Sequence, residues 1–356
     1  MTDRVLSRIG GLRRIAVFRA LNLGDFLCVV PALRMLRRAT PAARITLIGL
    51  ESVRACLPRF GHYVDEFVVF PGDPSFPEQR PRLQALPGFY AAMRSRRFDL
   101  ALQMHGSGVR SNAIVQRLGA CHWGGFVPDP SARTPWQMAW PDAQPEIVRY
   151  LQLLQYLGVP GSGDPGLEFP LEAADRRHAD ELAACGRLDL RRTVFVHPGA
   201  RLASRRWPAG HFAAVGRRLA QDGWRIGVTG SAGECPLTAR VAASIGPEAV
   251  DLGGRTGLGA LASLLQRACL LICNDTGVSH VAAAVRAPSV VIASGSDVAR
   301  WAPLDARLHS VVSVDMPCRP CSHDRCPVPG HPCATRISAE QVFRLAQARL
   351  GKGGRT

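Results

Sequence analysis

No stretch of this 356-residue chain approaches the roughly 18–20 apolar residues of a membrane-crossing helix, and no basic leader with an apolar core and a small-residue cleavage site opens it. A cytoplasmic protein is the expectation. Acidic residues are scarce beside basic ones, 28 against 44, for a formal charge of +16. Such a field attracts phosphorylated partners, whether sugar nucleotides, nucleic acid or anionic lipid, although Arg spread over solvated faces accounts for part of the excess. Aromatic residues make up only 6%, which speaks against the interleaved basic and aromatic surface of a nucleic-acid binder, and no nucleic-acid module is recognisable. No Gly-x-Gly-x-x-Gly follows a first strand, which argues against a dehydrogenase. Repeats and low-complexity tracts are also missing. An apolar content of 47% still allows a chain of this length to bury two ordinary cores.

What is present is an alternation of short β-branched runs with helical patterns. Strands are predicted at 14–18, 45–48, 66–70 and 100–103, with a helix over about 24–38 after the first. This is the signature of parallel βαβ units. A Gly/Pro-rich stretch, Gly158 to Gly166, reads as a linker. A second α/β series follows, with strands at 193–196, 224–228, 269–273 and 288–292 and helices near 209–221, 258–267 and 277–285. The expected organisation is a domain over 1–165, a second over 166–337, and a helix and tail at 338–356 that could pack back on the first, its start marked by a Ser338–Gln341 capping box. Two doubly wound halves facing each other would leave a cleft at the carboxyl ends of both sheets, where chemistry is expected.

Four segments carry that chemistry. The first strand runs into Arg19-Ala20-Leu21-Asn22-Leu23-Gly24-Asp25. A Gly-containing turn and a helix N-terminus expose amide donors, and a carboxylate there can take a proton from a bound hydroxyl. Asp25 is a candidate base; the plainer alternative is a helix-terminal carboxylate interacting with the dipole. The second half opens with His197-Pro198-Gly199 and then Ser204-Arg205-Arg206-Trp207-Pro208. Paired guanidinium groups suit a pyrophosphate, since each stays charged and can bond two oxygens; an exposed basic loop anchored by Trp207 is the alternative. In Thr229-Gly230-Ser231-Ala232-Gly233-Glu234, the carboxylate after a Gly-rich turn can accept from ribose hydroxyls. In Asn274-Asp275-Thr276-Gly277-Val278-Ser279-His280, the free amides and the Thr276 hydroxyl make an anion site. His280 can reach phosphate or sugar from there, or be simply buried, with Asp275 as a cap.

Taken in order, these segments resemble glycosyltransferase family nine, the bacterial heptosyltransferases. The resemblance runs from Arg14 to about Leu350 and rests on Leu23-Gly24-Asp25 with Pro31, His197-Pro198-Gly199, Arg206-Trp207-Pro208, Gly230-Ser231 with Glu234, Asn274-Asp275-Thr276-Gly277 with His280, and Arg300-Trp301-Ala302-Pro303. It implies a GT-B fold of two Rossmann-like domains and a transferase that moves a heptose, with inversion, from ADP-heptose to the phosphorylated core of lipopolysaccharide. Asp25 is then the base, Asn22, Gly24 and Arg110 contact the acceptor, and Arg205, Arg206, Glu234, Asp275, Thr276, Gly277 and His280 hold the nucleotide sugar. Electrostatic compensation stands in for a metal, so no cofactor is expected in catalysis. Peripheral docking on the anionic inner leaflet, through stretches such as Arg94-Ser95-Arg96-Arg97, accords with the charge. Two departures bear on this. Where the family commonly has Gly-Pro-Thr-Asp, this chain has Ser294-Gly295-Ser296-Asp297, and the acceptor loop Gln103 to Arg110 carries extra residues. The competing readings are a sugar-nucleotide 2-epimerase of the same architecture and a basic nucleic-acid-binding protein; neither explains the Asp25 and Asp275 segments.

Cysteine supplies one further expectation. Of eleven, four lie within sixteen residues as Cys318-x2-Cys321-x4-Cys326-x6-Cys333, with His323 and His331 interleaved. The first pair has metal-ligand spacing and points to a structural zinc, against packed or redox-labile thiols as the alternative.

Overall fold

The computed structural model describes residues 11–76, 78–321 and 323–353. Contacts divide the chain into two units, Met1–Leu167 and Glu168–Thr356.

The first unit is built on one parallel sheet of six strands: β1 (Arg14–Arg19), β2 (Arg44–Gly49), β3 (Glu66–Val69), β4 (Leu100–Gln103), β5 (His122–Val127) and β6 (Gln137–Ala139). The spatial order is β3-β2-β1-β4-β5-β6. β1 therefore pairs with β2 on one side, Ile15 opposite Ile45, and with β4 on the other, Ile15 opposite Leu100. The chain winds outward one way from β1 and then crosses to wind the other way from β4. The strand order therefore reverses between β1 and β4, and the segments after these two strands meet at the switch point on the sheet's carboxyl edge. β1 and β4 are buried almost throughout, as strands covered by helices on both faces must be. Beneath them, Phe18, Phe70, Phe76, Phe89, Tyr90 and Phe98 form an aromatic core.

The helix expected over 24–38 is two helices, Leu23–Leu27 and Val30–Ala39. Pro31 in the first turn of the second has no N–H for the Leu27 carbonyl, so the ladder breaks there and Val29 bonds back to Phe26 instead. β5 and β6 were not legible in the sequence. β5 contains Gly124 and Gly125, where a Cβ would come within 3.0 Å of the Leu157 side chain and 2.6 Å of Gln103. Close packing demands glycine there and removes the β-branched signal.

The second unit repeats the plan with β7 (Thr193–His197), β8 (Arg225–Val228), β9 (Ala249–Asp251), β10 (Leu270–Asn274), β11 (Ser289–Ile292) and β12 (His309–Val312), in the order β12-β11-β10-β7-β8-β9. Its switch point lies between β7 and β10. The outer strands β9 and β12 are the two that sequence patterning missed; both are short and half-exposed. The last helix, Ala339–Gly353, belongs to this unit. Ser338 and Gln341 cap each other at its start, and Val342, Phe343 and Ala346 pack into a core with Trp207, Phe212 and Ile272. The Trp207 indole N–H donates to the Ile337 carbonyl at 2.9 Å, which ties the chain end to the turn after β7.

Candidate active site

In the first unit, the turn after β1 delivers Asp25 in the middle of helix Leu23–Leu27, partly buried. Asn22 is the N-cap of that helix in extended backbone geometry and makes no side-chain cap bond, while Gly24 is buried in its first turn. Beside it, the loop after β4 is shaped by Gln103, whose side chain is fully buried at the end of a strand. Its amide donates to the His105 carbonyl at 2.6 Å and its oxygen accepts from the Phe126 N–H at 3.1 Å. The Ala20 N–H donates to His105 Nδ1 at 3.3 Å, so the β1 and β4 loops touch. Gly108, at φ +94°, is the pivot of this loop, and a Cβ there would stand 2.4 Å from the Phe126 carbonyl oxygen. Arg110 is exposed beyond it, with Nη1 donating to the Ser75 carbonyl at 2.7 Å. Asn22, Gly24, Asp25 and Arg110 thus all lie in the segments that follow β1 and β4, at one edge of one sheet.

The remaining candidates gather at the carboxyl edge of the second sheet, organised by Asn274. This wholly buried side chain at the end of β10 donates to the carbonyls of Pro198 and Gly199 at 2.9 and 3.1 Å and accepts from the Trp207 N–H at 2.9 Å. One amide therefore braces both parts of the turn after β7. A buried Asn ending an apolar strand is the signal that sequence reading could have used for this role. Glu234 is aimed at the same turn: its Oε2 accepts from the Ser231 N–H and hydroxyl, and a Cβ on Gly199 would lie 2.1 Å from its Oε1. Desolvation holds His197 below its ordinary range, with Glu234 opposing, so a neutral imidazole bonds the Thr229 hydroxyl at neutral pH.

Thr276 is the N-cap of helix Gly277–Ala284, yet its side chain makes no cap bond, and its Oγ1 is buried without a partner among the described residues. Asp275 is buried beside it, and His280, one turn in, is buried edge-on to Trp301 with ring centroids 6.3 Å apart. The paired arginines are not equivalent. Arg206 Nε donates to the Ala200 carbonyl at 2.8 Å, whereas Arg205 Nε is buried with no partner among the described residues. Ser294 and Ser296, in the loop where the chain departs from the family wording, carry two further buried hydroxyls in the same condition. Sequence reading flagged that loop only for its shape.

The four cysteines expected to hold a structural zinc lie in the segment from Cys318 to Cys333. Among the described residues, no three His, Cys, Asp or Glu side chains stand together as metal ligands. Cys318 is exposed, Cys321 and Cys326 are intermediate and Cys333 is buried. Backbone bonds pin this segment to the turn after β7 and the loop after β11: Cys321 N–H to Gly295 at 2.7 Å, and Ser204 N–H to Asp324 at 3.0 Å. His331 Nε2 is committed to the Ser204 carbonyl at 2.8 Å. Burial, with Cys326, Cys318 and Cys321 adding to it, raises the Cys333 thiol above its ordinary value.

The sequence model of glycosyltransferase family 9 (heptosyltransferase) matches residues 89–331, more than half of the chain. The chain belongs to glycosyltransferase family 9. This family 9 chain is 25% identical to lipopolysaccharide heptosyltransferase 1 of Pseudomonas aeruginosa over 328 residues, 88% of its own length and 87% of that protein. It is 30% identical to lipooligosaccharide heptosyltransferase 2 of Haemophilus influenzae over 100 residues, a match spanning 27% of this chain and only 29% of the relative. The solved E. coli ADP-heptose lipopolysaccharide heptosyltransferase II superposes with a TM-score of 0.71 at 19% identity, covering 96% of this chain and 99% of that one. The family 9 chain thus has the two-domain α/β architecture of the GT-B class, and it is a glycosyltransferase. Among the described residues, no helix is long and apolar enough to cross a membrane.

Proposed function

We propose that this enzyme transfers a heptose, with inversion, from ADP-heptose to the phosphorylated core of lipopolysaccharide. The observation that carries the reading is the set of polar atoms without partners at the second sheet's carboxyl edge, Thr276 Oγ1, Arg205 Nε, Ser294 Oγ and Ser296 Oγ. Buried donors left unpaired are costly, by about 1–3 kcal/mol each, and a diphosphate with its attached sugar supplies acceptors for all four. Glu234 takes the ribose, and Asp275, Gly277 and His280 complete the donor site beside Thr276. Asp25 removes the proton from the acceptor hydroxyl as its oxygen bonds to the anomeric carbon. The bond from that carbon to the diphosphate breaks, and the charge gathering on departing ADP is met by Arg205, with Arg206 holding the turn. Asn22, Gly24 and Arg110 face the acceptor. The names of the relatives, lipopolysaccharide heptosyltransferase 1 in Pseudomonas aeruginosa and ADP-heptose lipopolysaccharide heptosyltransferase II in E. coli, support this choice of donor and acceptor.

Calorimetry with ADP and UDP tests the donor. ADP is expected to bind at least about tenfold more tightly than UDP, a difference of about 1.4 kcal/mol. Failure of both to bind at millimolar concentration overturns the reading. The +16 charge further supports work at the cytoplasmic face of the inner membrane. Sedimentation with anionic vesicles is expected at low salt and to fade as salt screens the arginines; no sedimentation at low salt rejects it.

A further inference from the structure

Arg19, the last residue of β1, is 1% exposed, and it lies among Glu146 at 1%, Arg149 at 2% and Tyr150 at 0% on helix Glu146–Tyr156. Its guanidinium is shared out with little left over. Nε and Nη2 both donate to the Asp25 carbonyl, at 3.0 and 2.7 Å, and Nη1 donates to the Met104 carbonyl and to Glu146 Oε1, each at 2.9 Å, as well as to the Tyr150 hydroxyl. Tyr150 in turn donates to Glu146 Oε1 at 2.7 Å, and the other Glu146 oxygen accepts from Arg149 Nη1 at 3.0 Å. Arg149 Nε anchors the far end on the Pro141 carbonyl at 2.9 Å. Burial works against the Arg19 charge, but Tyr150, Glu146 and Asp25 outweigh it and hold the guanidinium protonated.

The placement is specific. Asp25 and Met104 lie in the two segments that leave the first sheet at its switch point, after β1 and after β4, and a single guanidinium grips a carbonyl of each. A buried ion pair of this kind is seldom more stabilising than apolar packing of the same volume. What it supplies here is fixed geometry, because a planar fork with directed donors allows little displacement of the groups it holds. Resting on the reading of Asp25 as the base, we infer that Arg19, with Glu146 and Tyr150 behind it, is a positioning residue that sets the place of Asp25 against the acceptor and touches no substrate. Lysine at this position would keep the charge but could not hold both loops at once. A displacement near 1 Å is enough to cost such a step roughly 10²-fold.

The test uses the full-length enzyme carrying Arg19→Lys, Tyr150→Phe, Asp25→Asn and the Arg19→Lys/Asp25→Asn pair. Turnover is read as ADP released from ADP-heptose with lipopolysaccharide lacking its inner-core heptose. Arg19→Lys is expected to lower kcat by about tenfold or more, with ADP affinity unchanged by calorimetry, and Tyr150→Phe by a few-fold. The decisive term is the cycle: if Arg19 acts through Asp25, adding Arg19→Lys to Asp25→Asn costs nothing further. Independently of any substrate, amide hydrogen exchange over 22–28 and 104–111 is expected to quicken about tenfold in Arg19→Lys while β7 and β10 stay protected. Additive losses, or unchanged exchange in both segments, overturn the inference. Should Arg19→Lys fail to fold, the same readings on Tyr150→Phe decide it, unchanged kcat and exchange being the refuting result. Faster exchange without any turnover by the wild type would instead sink the donor and acceptor assignment and leave the clamp standing.

Discussion

Asp25→Asn is expected to lower turnover by roughly 10²–10⁴, the range for a lost general base, while ADP affinity barely moves. The substitution preserves volume and most hydrogen-bonding reach but removes the basic lone pair. It should also leave the fold in place, because Arg19 holds the backbone carbonyl of residue 25 and that carbonyl is unaffected by the exchange. Donor binding is assigned to the second unit, so a fall confined to kcat marks an interaction used in the transition state alone. Steady-state kinetics with calorimetry on the same preparation distinguishes the outcomes. Near-normal turnover would reduce Asp25 to a helix-terminal carboxylate interacting with the dipole, and the mechanism would be wrong.

Arg205→Ala is expected to weaken ADP binding by about 10- to 150-fold, corresponding to about 1.5–3 kcal/mol for hydrogen bonds to a charged group, and to lower turnover as well. Arg206→Ala should behave differently. The Arg206 Nε already serves the Ala200 carbonyl, so its loss loosens the turn after β7 and lowers stability more than it lowers affinity. Arg205 Nε, by contrast, has no partner among the described residues, and a diphosphate would supply one. Both positions read alike in the sequence, as adjacent arginines before Trp207; only the fold gives their Nε groups different surroundings. Equal losses of ADP affinity in the two variants, with equal thermal midpoints, would contradict this division.

The sequence alone determined the two parallel-sheet halves, because central strands buried on both faces must be written as unbroken apolar runs such as Val194-Phe195-Val196 and Leu270-Leu271-Ile272. It also brought out the segments around Asp25, Arg205 and Thr276, since Gly-containing turns between strand and helix are local features of the chain. Tertiary structure decided the rest. Asn274 reaches back 76 residues to Pro198, and Arg19 reaches forward 127 residues to Glu146. No periodicity encodes such partners. The edge strands β6, β9 and β12 are too short and too exposed to leave a pattern, and β5 exchanges its β-branched residues for glycines that its neighbours require. Cysteine spacing suggested a zinc site, yet spacing along a chain says nothing of convergence in space. Here the backbone bonds of Cys321 and Asp324 set the course of that loop, and among the described residues no group of three metal ligands forms. Local chemistry is written in neighbouring residues, whereas the groups that hold it in place come from wherever folding brings a buried donor to an acceptor it cannot be left without.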